Sequence, residues 1–215
     1  MAPDVPTPFL RLYISDSMSQ IALPLAPANG AETIVVSPAL QPVIDGLLAA
    51  QDWPYRTCIL SGPPRSGKSL LARWFEISGL GDAVDDADSH PEDEVFHLWN
   101  RAQASGRPLL LVNNRGAGQW RVKLPDLGSR LGGSMTLNIG APDDDLLVQL
   151  IEEHAARRGL ALGEGAITFL LPRIERSHAA AEQLVQTIDR LSLERKAPVT
   201  ISLLRDALAE GQDGV

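Results

Sequence analysis

One cysteine, a deficit of basic residues and the lack of any long apolar run remove several protein classes before a motif is read. Cys58 is alone among 215 residues, so no disulfide can form within the chain, and its apolar surroundings point to a reducing, cytoplasmic setting. No segment reaches the roughly 18 consecutive apolar residues of a membrane span, and the N-terminus lacks the charged-then-apolar layout of a signal peptide. Lys and Arg number 19 against 27 Asp and Glu, a net charge of −8. That balance argues against broad binding to a nucleic-acid backbone. The histidines (His90, His97, His154, His178) are scattered without metal-ligand spacing and read as structural or solvated. What remains is a globular composition, 44% apolar and 21% charged, sized for one α/β domain with a small helical appendage.

Against that background one string stands out. Gly62-Pro63-Pro64-Arg65-Ser66-Gly67-Lys68-Ser69 satisfies the phosphate-loop pattern G-x-x-x-x-G-K-[ST] at every fixed position. Thr57-Cys58-Ile59-Leu60 before it reads as a short buried strand, and Leu70 to Phe75 after it as a helix, the context the motif requires. Successive backbone N–H groups and the helix N-terminus would hold phosphates, Lys68 would reach the outer ones, and the Ser69 hydroxyl would meet Mg²⁺. The fixed positions match by chance in roughly one chain of this length per hundred, so a nucleotide site outweighs a Gly/Pro turn.

Three regions follow from the patterning. Residues 1–35 are proline-bearing and aperiodic, an extended arm in which Met18 offers a second start. Residues 36–140 read as α/β. Ser37-Pro38 opens a helix through Leu48, a helix from Pro91 to Ala104 buries Val95, Phe96 and Trp99, Leu109 to Val112 is a strand covered on both faces, and Leu137 to Ile139 is a weaker one. Residues 141–215 are helical throughout. Asp143 to Asp145 cap a helix ending near Gly159, and helices follow over Gly165 to Ile174, Ser177 to Arg195 and Thr200 to Glu210.

Hydrolysis needs carboxylates as well as a phosphate loop. Asp85-Asp86, after Ala83-Val84, fit either that role or a solvated acidic turn. The strand ending at Val112 runs into Asn113-Asn114, which can hydrogen-bond a water or phosphate oxygen but cannot supply charge to Mg²⁺. Arg130, after a short helical pattern, reads on its own as a surface arginine.

Together these segments resemble the DnaA/Hda group of AAA+ proteins, most closely the short Hda-type regulators of α-proteobacteria. The resemblance runs from Met18 almost to the end. Gln20-Ile21-Ala22-Leu23-Pro24-Leu25 resembles their sliding-clamp-binding peptide. Glu94 to Asn100 resembles the helix after the Walker B acids, Leu127 to Leu131 the arginine-finger box, Pro142 to Leu147 the lid entry, and Arg173 to Arg190 the last part of the lid. The resemblance implies an AAA+ P-loop domain with a parallel sheet and a small all-helical lid. It implies ADP or ATP with Mg²⁺ on Gly62 through Leu70, Ser69 and Asp85 at the metal, Asp85-Asp86 as the Walker B pair, Asn113 or Asn114 as sensor 1, and Arg130 as a finger acting in trans. Its partners would be the DNA polymerase III sliding clamp, held through Gln20, Ile21, Leu23, Pro24 and Leu25, and the initiator DnaA; homodimerisation stays open.

The chain departs from the family pattern in its short link between the phosphate-loop helix and Asp85, in a weakly apolar Walker B strand, and in Glu182, which sits where a sensor 2 arginine is common. These departures set the expectation of weak or absent hydrolysis at its own site. No DNA-reading domain follows Glu210, so direct binding to origin DNA is not expected. An autonomous ATPase of helicase-loader type and a non-catalytic adaptor remain the rival readings.

Overall fold

The structure, a computed structural model, describes residues 39–116, 118–163 and 165–212. The clamp-type peptide and the whole arm therefore lie outside the described residues. Strands β1 (Thr57–Ser61), β2 (Asp82–Val84), β3 (Leu109–Asn113) and β4 (Met135–Asn138) form one parallel sheet in the order β2-β3-β1-β4. β1 is central because its residues are apolar on both faces and it can accept neighbours on both edges. β2 is short, partly exposed and lies at an edge, as a weakly apolar sequence must.

Side chains alternate between two cores across the sheet. Cys58, Leu60, Leu110, Val112 and Leu137 face helices α1 (Gln41–Leu48) and α2 (Lys68–Ile77), through Ile44, Leu47, Leu71, Trp74 and Phe75. Leu109 and Leu111 face α3 (Glu92–Ser105) and α4 (Pro125–Gly132), through Val95, Trp99, Leu127 and Leu131. Burial pushes the Cys58 thiol up to about 12, so this cysteine is an inert core residue.

The last segment builds a separate core from α5 (Asp144–Arg157), α6 (Ala166–Leu170), α7 (His178–Arg195) and α8 (Ile201–Gln212), centred on Leu147, Ile151, Leu170, Val185, Ile188 and Leu204. The Asp143 side chain caps α5 by accepting from Leu146 N–H at 2.8 Å, and Ser177 caps α7 by accepting from Ala180 N–H at 3.1 Å. Two helices are shorter than the sequence predicts. α1 begins at Gln41, and α6 gives way to a 3-10 turn over Leu171–Arg173, because Pro172 has no N–H to continue the ladder. Among the described residues no helix is long and apolar enough to cross a membrane.

Candidate functional site

In a parallel sheet, all strands point one way, so their C-terminal ends share an edge where ligands bind. That edge here collects every loop the sequence singled out. β1 leads into Gly62–Ser69, β2 into Asp85-Asp86, β3 into Asn113-Asn114, and β4 into Ile139-Gly140-Ala141.

The phosphate loop needs a residue that turns left-handed immediately before α2. Gly67 does this at φ 84° with open space around it, and Arg65 also takes a positive φ of 64°, an uncommon conformation for a side-chain-bearing residue. Lys68 is buried, and its ammonium donates to the carbonyls of Gly62 at 3.0 Å and Pro63 at 2.8 Å. Burial lowers its pKa below the usual lysine value, while Asp85, then Asp86 and Asp88, oppose that shift. The three acids are thus close enough to act on the loop's lysine electrostatically. A groove of about 470 Å³ runs over the loop, lined by Arg65, Lys68, Arg73, Arg157, Ser69 and Asn114 among others. The lining is rich in cations for an acidic chain, with Arg65 paired to Glu182 and Arg157 to Glu153. Arg73 and Arg157 give no signal in the sequence, since each sits in an otherwise ordinary helical pattern.

The flanking groups divide into exposed and structural ones. Asp85 and Asp86 are exposed at the end of β2, and Asp86 occupies a left-handed φ of 50°. Asp86 accepts a hydrogen bond from the Asn114 side chain. Asn113 is buried, and both of its amide hydrogens are used. Its amide donates to Ser61 Oγ at 3.2 Å and to the Gly116 carbonyl at 2.8 Å, and its Oδ1 accepts from Arg115 N–H at 3.1 Å. The residue of this pair that reaches the groove is Asn114. Asp88, which the sequence reading passed over, is the buried acid. It accepts from Asn114 N–H at 2.9 Å and pairs with Arg115 Nε at 3.1 Å, holding the β3 loop in place. Among the described residues no group of His, Cys, Asp or Glu forms a ready metal cage.

Glu182 projects from α7 to the phosphate loop, where it pairs with Arg65 Nη1 at 3.0 Å and accepts from Gln186 at 3.0 Å. The resemblance puts Glu182 where a sensor 2 arginine is common; the structure gives that carboxylate a cation of the loop itself. Arg130 lies on α4 with its guanidinium over the rings of Phe96 at 4.5 Å and Trp99 at 4.3 Å, and it donates to Asn100 Oδ1 at 2.5 Å. These partners all belong to α3. The entry to α4 is fixed by Glu92, which accepts from Lys123 and Leu124 N–H groups, bonds that hold its carboxyl below the usual range.

Two of the histidines that read as structural or solvated in the sequence line a cavity between the loop and the lid, His154 from α5 and His178 from α7. Both have pKa values lowered from about 6.5, chiefly by burial. Lys68 and His154 add to the effect at His178; at His154, Arg157 and Arg158 add to it while Glu182 and Glu153 oppose it. The unfolded chain therefore binds more protons just below pH 6.5, and stability present above that pH is lost as the pH falls toward the folded values. The thermal midpoint is expected to drop between pH 7.5 and 5.5, and to drop less in His178→Phe. An equal drop in both proteins would rule His178 out as a source.

Comparison with known proteins adds three findings. Residues 143–208 match the family model of the Hda lid domain. An uncharacterized protein of Haemophilus influenzae is 30% identical over 115 residues, 53% of this chain and 50% of that protein, so the chain spans about half the length of this relative. Among solved structures, domain III of the Thermotoga maritima replication initiation protein DnaA aligns with TM-score 0.66 at 13% identity, covering 81% of this chain and 93% of that one. DnaA bound to AMPPCP and single-stranded DNA aligns with TM-score 0.58 at 17% identity, over 75% of this chain and 65% of that one. The Thermotoga maritima RuvB branch migration motor gives 0.58 at 17%, over 80% and 67%. At these identities the likeness to solved structures is one of fold.

Proposed function

The chain is a DnaA/Hda-type AAA+ protein, and from that premise we propose that it acts as an Hda-like negative regulator of chromosomal replication initiation. In this reading it binds adenine nucleotide, with ADP the resting ligand, docks on the sliding clamp through residues 20–25, and promotes hydrolysis of DnaA-bound ATP. The observation that carries the reading is an Hda-type lid sequence over 143–208 joined to an AAA+ core whose phosphate loop keeps every fixed residue.

The loop N–H groups and Lys68 would hold the phosphates. Mg²⁺ would take Ser69 and Asp85 as protein ligands, the remaining oxygens coming from phosphates and water, as suits a cation that keeps much of its own shell. Asn114 rather than Asn113 takes the sensor position in this proposal, because Asn114 lines the groove over the phosphate loop while both amide hydrogens of Asn113 are turned to Ser61 and Gly116. Arg130 is held by Phe96, Trp99 and Asn100 of α3 rather than by its own phosphate loop, and would serve a neighbouring subunit. Gln20, Ile21, Leu23, Pro24 and Leu25 would lie extended in a groove of the clamp, the leucines as apolar anchors and Gln20 as the polar one.

The deciding experiment follows hydrolysis of DnaA-bound ATP with this protein, with and without DNA-loaded clamp. Acceleration that depends on the clamp, and that Gln20→Ala removes, is the expected result. Equal rates with and without this protein, despite its presence on the clamp, would leave the adaptor reading instead.

A further inference from the structure

The first lid helix, α5, presents two stripes of side chains. Leu147, Ile151 and Ala155 pack into the lid's own core, while Leu146, Leu150, His154 and Arg157 line the cavity that Ser66 and Gly67 of the phosphate loop also line. Spacings of three and four residues put each set on one face of the helix. Arg157 is the last residue of α5 and goes a step further than the rest of its stripe. It also lines the groove of about 470 Å³ over the loop, together with Lys68, Ser69, Arg73 and Asn114. Among the described residues that line this groove, Arg157 alone comes from the lid.

We propose that Arg157 is a phosphate-binding residue of the nucleotide site, exchanging Glu153 for a phosphate of the ligand and so tying the lid to an occupied loop. The inference rests on the nucleotide reading above and adds to it a residue from outside the phosphate loop. Two ion pairs decide which lid charge can serve. Glu182 of α7 meets Arg65 at 3.0 Å, with only 18% of its side chain exposed, so α7 brings a carboxylate to the loop and no cation. Arg157 pairs with Glu153 at 2.9 Å, one turn back on its own helix, the two side chains being 38% and 31% exposed. Such a pair within one helix, open to water, contributes little and exchanges readily. A phosphate carries more charge than the carboxylate it displaces and gives the guanidinium fork acceptor oxygens for two parallel bonds. The groove already brings Arg157 together with Lys68 and Ser69, the residues assigned to the phosphates and their Mg²⁺.

The test is equilibrium binding of ADP and of pyrophosphate to the full chain and to Arg157→Ala, Arg157→Lys, Glu153→Gln and Lys68→Ala. Arg157→Ala is expected to weaken both ligands by about tenfold. Arg157→Lys recovers part of that, since it keeps the charge and loses the fork. Glu153→Gln removes the competing carboxylate and tightens both ligands by about twofold. Unchanged affinities in Arg157→Ala overturn the inference, and a fall for ADP alone does so too, because it takes Arg157 off the phosphates. Glu153→Gln weakening the ligands as much as Arg157→Ala also overturns it, since the pair within the helix, and not the guanidinium, would then matter. The Lys68→Ala arm reports on the underlying reading alone: ADP binding indifferent to it would remove the phosphate-loop site whatever Arg157 does.

Discussion

Arg130→Ala is expected to lower the clamp-dependent stimulation of DnaA-bound ATP hydrolysis by about 10³-fold or more, the scale on which an arginine supplied in trans acts on phosphoryl transfer. The argument starts from how the residue is held. Its guanidinium is stacked on Phe96 and Trp99 and bonded to Asn100, side chains spaced so that one face of α3 presents them together. A long side chain held this way has already lost much of its rotamer freedom, so presenting it to a partner costs less than for a free surface arginine. Lysine at 130 should not restore activity, since it lacks the planar fork that stacks and bonds at once. The half-exposed contacts are worth about 1 kcal/mol apiece, too little for their loss to unfold the chain. A measured fall in stimulation would thus belong to chemistry, and the variant's retained attachment to the clamp would confirm it. Undiminished stimulation by Arg130→Ala would remove Arg130 from the chemistry.

The sequence carried most of the frame because its signals are local. A phosphate loop is set by glycine geometry and one lysine, the caps at Asp143 and Ser177 by one side chain each, and β3 by an unbroken apolar run; all of these are visible in a line of residues. The site's second layer is not, because it depends on elements far apart in the chain meeting. Nothing near Glu182 says that it will meet Arg65, 117 positions away. Likewise, the choice between Asn113 and Asn114 is made by which one turns inward to Ser61 and Gly116. His178 reads from the sequence as structural or solvated without a choice between them; it is buried here between the loop and the lid. The edge position of β2 was legible as weakness of pattern, and its short length follows from the same residues.

Phe75→Ala is expected to cost about 3–5 kcal/mol of stability, the range for deleting a fully buried aromatic ring. At roughly 2–4 °C per kcal/mol for a chain of this size, the thermal midpoint should fall by about 10 °C. Phe75 has no exposed surface, stacks on Trp53 at 5.4 Å with the rings 8° apart, and leaves no room beside it. A Cβ on Gly81 would stand 2.6 Å from the Phe75 ring and 2.4 Å from the Pro108 carbonyl, so that glycine is required by close approach. The ring therefore backs α2, which starts at Lys68, and also the turn into β2, which ends at Val84 just before Asp85. Removing it should loosen both halves of the candidate site at once, weakening ADP binding along with stability. The lid has its own core around Leu147, Ile188 and Leu204, so amide protection there should persist while that of α2 and β2 falls. Loss of protection to the same degree in the lid would mean that the two cores unfold as one unit, and a midpoint shift below about 3 °C would mean that the Trp53 side of the cavity collapses to refill it.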